Sequence, residues 1–166
     1  MDAARLALVT IGRAGLLTAF TDGAFSSVLS VAFYHSTVTR LFQGVASTLL
    51  GPDAFAGGTR TALIGVLMHI GVAFGWSAVF VLLVARLRWI PALMAARYGT
   101  LKVAALFGPM VWVTMSLAVI PLLVHHPPMI GLRWWIQLVG HVCFVGLPIV
   151  ATVRVQATRL PAESAV

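Results

Sequence analysis

Apolar residues dominate four segments of the chain, 14–34, 61–85, 103–124 and 134–153, and the charged residues collect between them. A helix rises about 1.5 Å per residue, so roughly 20 residues cross a hydrocarbon core of about 30 Å. Each segment reaches that length. Asp22 alone places a formal charge inside any of the four. The pattern predicts an all-α integral membrane four-helix bundle, with the whole chain, residues 1–166, forming a single membrane domain.

The stretch between the first two spans carries a second pattern. Val38, Leu41, Phe42, Val45, Ala46, Leu49 and Leu50 recur at helical spacing, opposite Thr39, Arg40, Gln43, Gly44, Ser47 and Thr48. That periodicity predicts an amphipathic interfacial helix over about 37–50, lying in the outer interface with its apolar face down. Ser36 or Thr37 would cap its start and Gly51-Pro52 would stop it. A re-entrant hairpin is the rival reading, and Gly57-Gly58 gives a flexible joint into span two.

Composition sharpens the class. With 60% apolar residues, 9% charged residues and a mean hydropathy of +1.01, no soluble globular class fits. The +7 net charge does not indicate nucleic acid, because the basic residues hug the span ends and form no stripe. Arg outnumbers Lys ten to one beside abundant Ala and Val, a bias of GC-rich bacterial genomes that points to a bacterial inner membrane. One cysteine, Cys143, excludes an internal disulfide framework, and no C-x-x-C is present. Arg13 interrupts the apolar run after Arg5, so the first span reads as an uncleaved signal anchor.

Lys and Arg set the orientation. Arg5, Arg13, Arg86, Arg88, Arg97, Lys102, Arg154 and Arg159 fall on one side, against Arg40, Arg60 and Arg133 on the other. Both termini are therefore expected in the cytoplasm, with a tail over 154–166. Tyr34, Trp89, Tyr98, Trp134 and Trp135 stand near span ends as interfacial anchors, whereas Trp76 and Trp112 fall deeper and read as packing residues.

Small residues mark where helices should touch. Gly71 and Gly75 form a G-x-x-x-G, and Gly65, Ala73 and Ser77 flank His69 at steps of four, which permits close approach on lipid-hidden faces of span two. The Gly71–Gly75 face suits a homo-oligomer or another membrane protein as partner, besides the lipid bilayer itself. Pro109 and Pro148 should free the carbonyls of Ala105 and Phe144, giving kinks or new contacts. No duplication relates the two halves, which argues against an inverted-repeat transporter.

Polar groups inside a bilayer are costly and therefore functional candidates. His69 lies roughly 12 Å and His141 about 10 Å below the outer edge at helical rise, on two parallel spans. Two imidazoles at one depth could hold haem b, or copper, zinc or iron, as a redox or metal-handling site. Met68, Met115 and Cys143 are weaker candidate ligands at similar depth. The plainer reading makes both histidines interhelical hydrogen-bonding groups. Asp22 falls near the midplane, where its carboxyl would be protonated, paired or hydrated, with Thr18, Thr21, Ser26 and Ser27 close in sequence. It is the candidate for a proton or substrate path. His35, His125 and His126 are placed at the outer ends of spans, where surface metal capture competes with simple solvation.

No G-x-S-x-G, H-E-x-x-H or G-x-x-x-x-G-K-[ST] occurs, and four acidic residues leave no intramembrane carboxylate pair. An enzyme mechanism of soluble type has little to work with. The elements Gln43-Gly-Val-Ala-Ser47, Leu49-Leu-Gly51, Ala54-Phe, Gly57-Gly58 and His69, with His141 and Gly146-Leu-Pro148, resemble a group of short bacterial four-span membrane proteins over about residues 10–155. That resemblance implies the membrane class and span count, and no catalytic residue. Three functions stand as expectations: a non-enzymatic structural, assembly or interaction subunit; a haem b or copper protein using His69 and His141; and a small proton-coupled permease using Asp22.

Overall fold

The structure, a computed structural model, describes residues 2–157, all of them helix or connecting turns with no strand. The rest of the expected tail, Arg159 and Glu163 included, lies outside the described residues. Four helices are long and apolar enough to cross a membrane: α1 (Ala3–Phe33), α3 (Gly58–Arg86), α5 (Gly99–Val124) and α6 (Leu132–Gln156). Two shorter ones join them, α2 (Val38–Leu50) and α4 (Trp89–Ala95). This is the build of a multi-pass membrane protein.

Helix α1 starts well before residue 14, because the Asp2 carboxylate accepts from the Arg5 amide at 2.7 Å and caps the first turn. Arg13 sits inside the helix without breaking it. Three spans contain a wide turn of π type, at Leu29–Phe33, Met115–Val119 and Val142–Gly146. The last two lie next to Pro121 and Pro148, whose missing N–H groups disturb the regular ladder.

Helix α2 begins as the sequence suggests, with Thr37 Oγ1 accepting from the Arg40 amide at 3.1 Å. It ends at Gly51, whose φ of 73° suits a residue without Cβ. Its packing differs from the expected division of faces. Helix α2 lies against α3, and at Gly65 the α3 backbone comes so close that a Cβ would collide with the Phe42 carbonyl. Gln43 and Ala46 are the buried positions, while Val38, Leu49 and Leu50 are exposed. The nominally polar Gln43 is buried because its amide donates to the Gly58 carbonyl at 3.0 Å.

Helix α4 lies in the stretch that carries Arg86, Arg88, Arg97 and Lys102. It forms because Ile90 and Met94, one turn apart, both tuck into the apolar core. That core unites Phe80 of α3, Val103, Phe107 and Val111 of α5, and Val145, Ile149, Val150 and Val153 of α6. It fills the end of the molecule near α4 and the chain termini, hereafter the terminal end. The opposite end, carrying α2 and the 125–131 connection, is the loop end. Helix α1 packs against α3 on one side and α6 on the other, and α5 packs along α6.

Candidate functional site

Helix α1 brings Asp22 into the interior between α3 and α6. From α3, His69 points its Nδ1 at Asp22 Oδ2 across 3.9 Å, and the two side chains are 18% and 14% exposed. That separation is an ion-pair distance and too long for a hydrogen bond. The other ring nitrogen, Nε2, lies 3.1 Å from the Ala19 carbonyl oxygen. A carbonyl only accepts, so Nε2 carries the hydrogen and donates. Gly23, one residue past Asp22, borders this contact, and a Cβ there would stand in ordinary van der Waals contact with Nε2, at 3.4 Å. The Phe42 ring closes the site edge-on, with centroids 5.9 Å apart.

The tautomer has a chemical consequence. With the Nε2 hydrogen committed to Ala19, a neutral His69 presents a lone pair from Nδ1 to Asp22. Against a carboxylate, that contact is repulsive. It becomes attractive once a proton sits on either partner, as imidazolium with carboxylate or imidazole with carboxylic acid.

His141 lies on the part of α6 that packs against α1 near the site, where a Cβ at the adjacent Gly140 would collide with the Phe25 ring. Its Nδ1 donates to the Gln137 carbonyl at 2.7 Å, one turn back in the same helix. Its ring packs 4.8 Å from that of Trp112, which in turn stands 6.2 Å from Trp134. Trp134, expected as an interfacial anchor, is instead buried, because its indole N–H donates to Ser116 Oγ at 2.9 Å.

Polar atoms without a partner gather here. Thr18 Oγ1, Asp22 Oδ1, Trp112 Nε1 and Gln137 Oε1 are buried and make no hydrogen bond to protein. Each such atom costs about 1–3 kcal/mol in a core that offers it nothing. Gln137 Nε2 reaches Ser26 Oγ only at 3.5 Å. Of the four hydroxyls near Asp22 in sequence, Thr21 turns away and donates to the Phe144 carbonyl at 2.7 Å.

The structure brings two of the expected groups, Asp22 and His69, to 3.9 Å and places His141 on the neighbouring α6. The sequence did not foresee Gln137 and Trp112, whose only signal was one polar residue a turn from His141 and one deep indole. The weaker metal candidates do not join them. Met115 packs against the apolar core, and Cys143 is exposed on α6. Met68 is half-buried one position before His69, on a face turned by about 100°. Among the described residues no group of three or more His, Cys, Asp or Glu side chains is arranged to hold a metal ion. A haem or metal between His69 and His141 would require His69 to release Ala19 or Asp22, since each ring nitrogen faces one of them. His35 and His125 occupy left-handed turn positions, with φ of 48° and 57°, at the loop end.

The small-residue faces of α3 separate cleanly. Gly65, Ala73 and Ser77 are buried, as expected. Gly71 and Gly75 are exposed, with open space where a Cβ would stand, so they are not hidden by the chain's own helices. Comparison with protein-family models, curated proteins and solved structures finds no match. The chemistry of the site therefore rests on its own geometry.

Proposed function

We propose that this chain is a small proton-coupled protein of the bacterial inner membrane, a carrier or relay, with both termini cytoplasmic and its spans forming a four-helix bundle. The supporting observation is the Asp22–His69 pair, whose tautomer makes the 3.9 Å contact favourable only when it holds a proton. Polar side chains inside a bilayer bundle serve such relays. The unpartnered Asp22 Oδ1 and the unpartnered Gln137 Oε1 of α6 extend the site. Helix α2 lies at the outer interface, its exposed Leu49 and Leu50 toward lipid.

The test is proton flux into sealed proteoliposomes under an imposed potential, read with an internal pH dye. Wild type should carry flux at least tenfold above protein-free vesicles, and Asp22→Asn should return it to that baseline. Equal flux in wild type and Asp22→Asn rejects the reading.

One observation favours a second reading, an assembly or interaction subunit. The Gly71–Gly75 face is open on α3, and close helix approach at such glycines is a route to association in lipid. Gly71→Cys in a Cys143→Ser background should then give a disulfide-linked dimer in membranes on mild oxidation.

A further inference from the structure

Resting on that proton-binding reading, we infer that Asp22 is connected to one side of the membrane only, through a polar seam between α1 and α6 that opens at the loop end. On α1, Asp22, Ser26, Ser30 and Tyr34 follow one another at steps of four, so they form a stripe that winds slowly around the helix. On α6, Gln137 and Arg133 are likewise one turn apart. The two rows meet twice. Gln137 Nε2 contacts Ser26 Oγ at 3.5 Å, and the Arg133 guanidinium lies over the Tyr34 ring, 4.2 Å from its centroid.

Along this seam the polar atoms outnumber their partners. Asp22 Oδ1, Gln137 Oε1 and Tyr34 OH are all buried with no hydrogen bond to protein. Such a row of unanswered donors and acceptors is a lining for water molecules, which can pass a proton between neighbours. The Arg133–Tyr34 stack caps the row where it reaches the surface.

Toward the terminal end the stripe passes through Thr18 and is interrupted at Ala14, before Thr10 one turn further on. Ala14 is fully buried, and the Phe74 ring sits against Gly15, 2.7 Å from where a Cβ would stand. Thr18 is the last polar position before this plug and is 2% exposed. The apolar core packs α3, α5 and α6 together at that end. Asp22 thus faces a polar lane on one side and, at Ala14 and the Phe74–Gly15 contact, an apolar constriction on the other. This is a one-sided proton route, with its polar end toward the α2 side.

Cysteine accessibility decides it. In a Cys143→Ser background, Ser26→Cys, Ser30→Cys and Thr18→Cys are exposed to a membrane-impermeant anionic methanethiosulfonate in spheroplasts and in inverted vesicles. Exposed His126→Cys marks the loop end, and labelling after denaturation confirms that each thiol is intact. Ser26→Cys or Ser30→Cys should react from the same side as His126→Cys, at least tenfold faster than Thr18→Cys from either side. Reaction of both seam thiols no faster than Thr18→Cys, or from the opposite side, overturns the seam. The flux assay stays separate: a reactive seam with Asp22-independent flux rejects proton coupling alone, and an unreactive seam with Asp22-dependent flux rejects the route alone.

Discussion

Thr21 of α1 donates its hydroxyl hydrogen to the Phe144 carbonyl of α6 at 2.7 Å, four residues before Pro148. A proline has no N–H, so the carbonyl one turn earlier loses its partner within the helix. The neighbouring helix supplies the missing donor, and the two spans are tied one residue away from Asp22. The stacked Phe25 and Phe144 rings, 4.4 Å apart, pack at the same crossing.

Thr21→Val, which keeps the shape and removes the hydroxyl, should lower stability by about 1–3 kcal/mol, the cost of a buried acceptor left unanswered. The loss should shrink in a Pro148→Ala background, where the helix recovers its own donor. Reversible unfolding in mixed micelles, run as a double-mutant cycle, measures both.

Gly65→Ala places a methyl group against the Phe42 carbonyl and the Ala46 amide, which are backbone and cannot rotate away. Overpacking of this kind costs about 1–3 kcal/mol, and here it pushes α2 off α3. Gly71→Ala meets open space and should change stability by less than about 0.5 kcal/mol. Thermal unfolding in detergent compares the two. Equal effects would mean that α2 does not pack on α3 as described.

His69→Leu removes the only side chain in ion-pair contact with Asp22 among the described residues. It should destabilise the protein, and a subsequent Asp22→Asn should recover part of the loss, because an unpaired carboxylate is then no longer held inside the bundle. A coupling energy of about 0.5–3 kcal/mol is expected from the cycle, toward the lower end since both groups are partly exposed. Additive losses would show that the two groups do not interact.

Placing α2 at the lipid interface predicts a contrast along the helix. A nitroxide attached at Leu49→Cys should be broadened by oxygen, which concentrates in lipid, whereas one at Thr39→Cys should respond to a water-soluble nickel complex. Both variants use the Cys143→Ser background. The reverse pattern would place the helix the other way up.

The four spans were legible because crossing length and the absence of charge are properties of single segments. So was the α2 start, where Thr37 caps, and the freed carbonyl of Phe144, since proline chemistry is local. What stayed hidden depends on partners far away in the chain. Gln43 reads as polar surface until the Gly58 carbonyl is known to lie beside it. Trp134 reads as an anchor until Ser116 is seen to accept its N–H. The Gly71–Gly75 pair matches a packing motif, yet rotation of α3 turns Gly65, Ala73 and Ser77 inward instead. Within the candidate site, matching depth along parallel spans singled out His69 and His141 as candidates. Only three-dimensional packing revealed that each ring already has a backbone carbonyl for one nitrogen.

The π turns in α1, α5 and α6 each hold one residue more than a regular turn. Three of the four spans therefore own a spare residue and α3 owns none among the described residues. Shortening Leu29–Phe33 by one residue relaxes it to an ordinary turn and swings only the final turn of α1. Shortening α3 by one residue between Gly65 and His69 has nowhere to be absorbed, and it rotates the imidazole about 100° away from Asp22. Tolerance to single-codon deletion should accordingly be high at the three wide turns and nil beside His69.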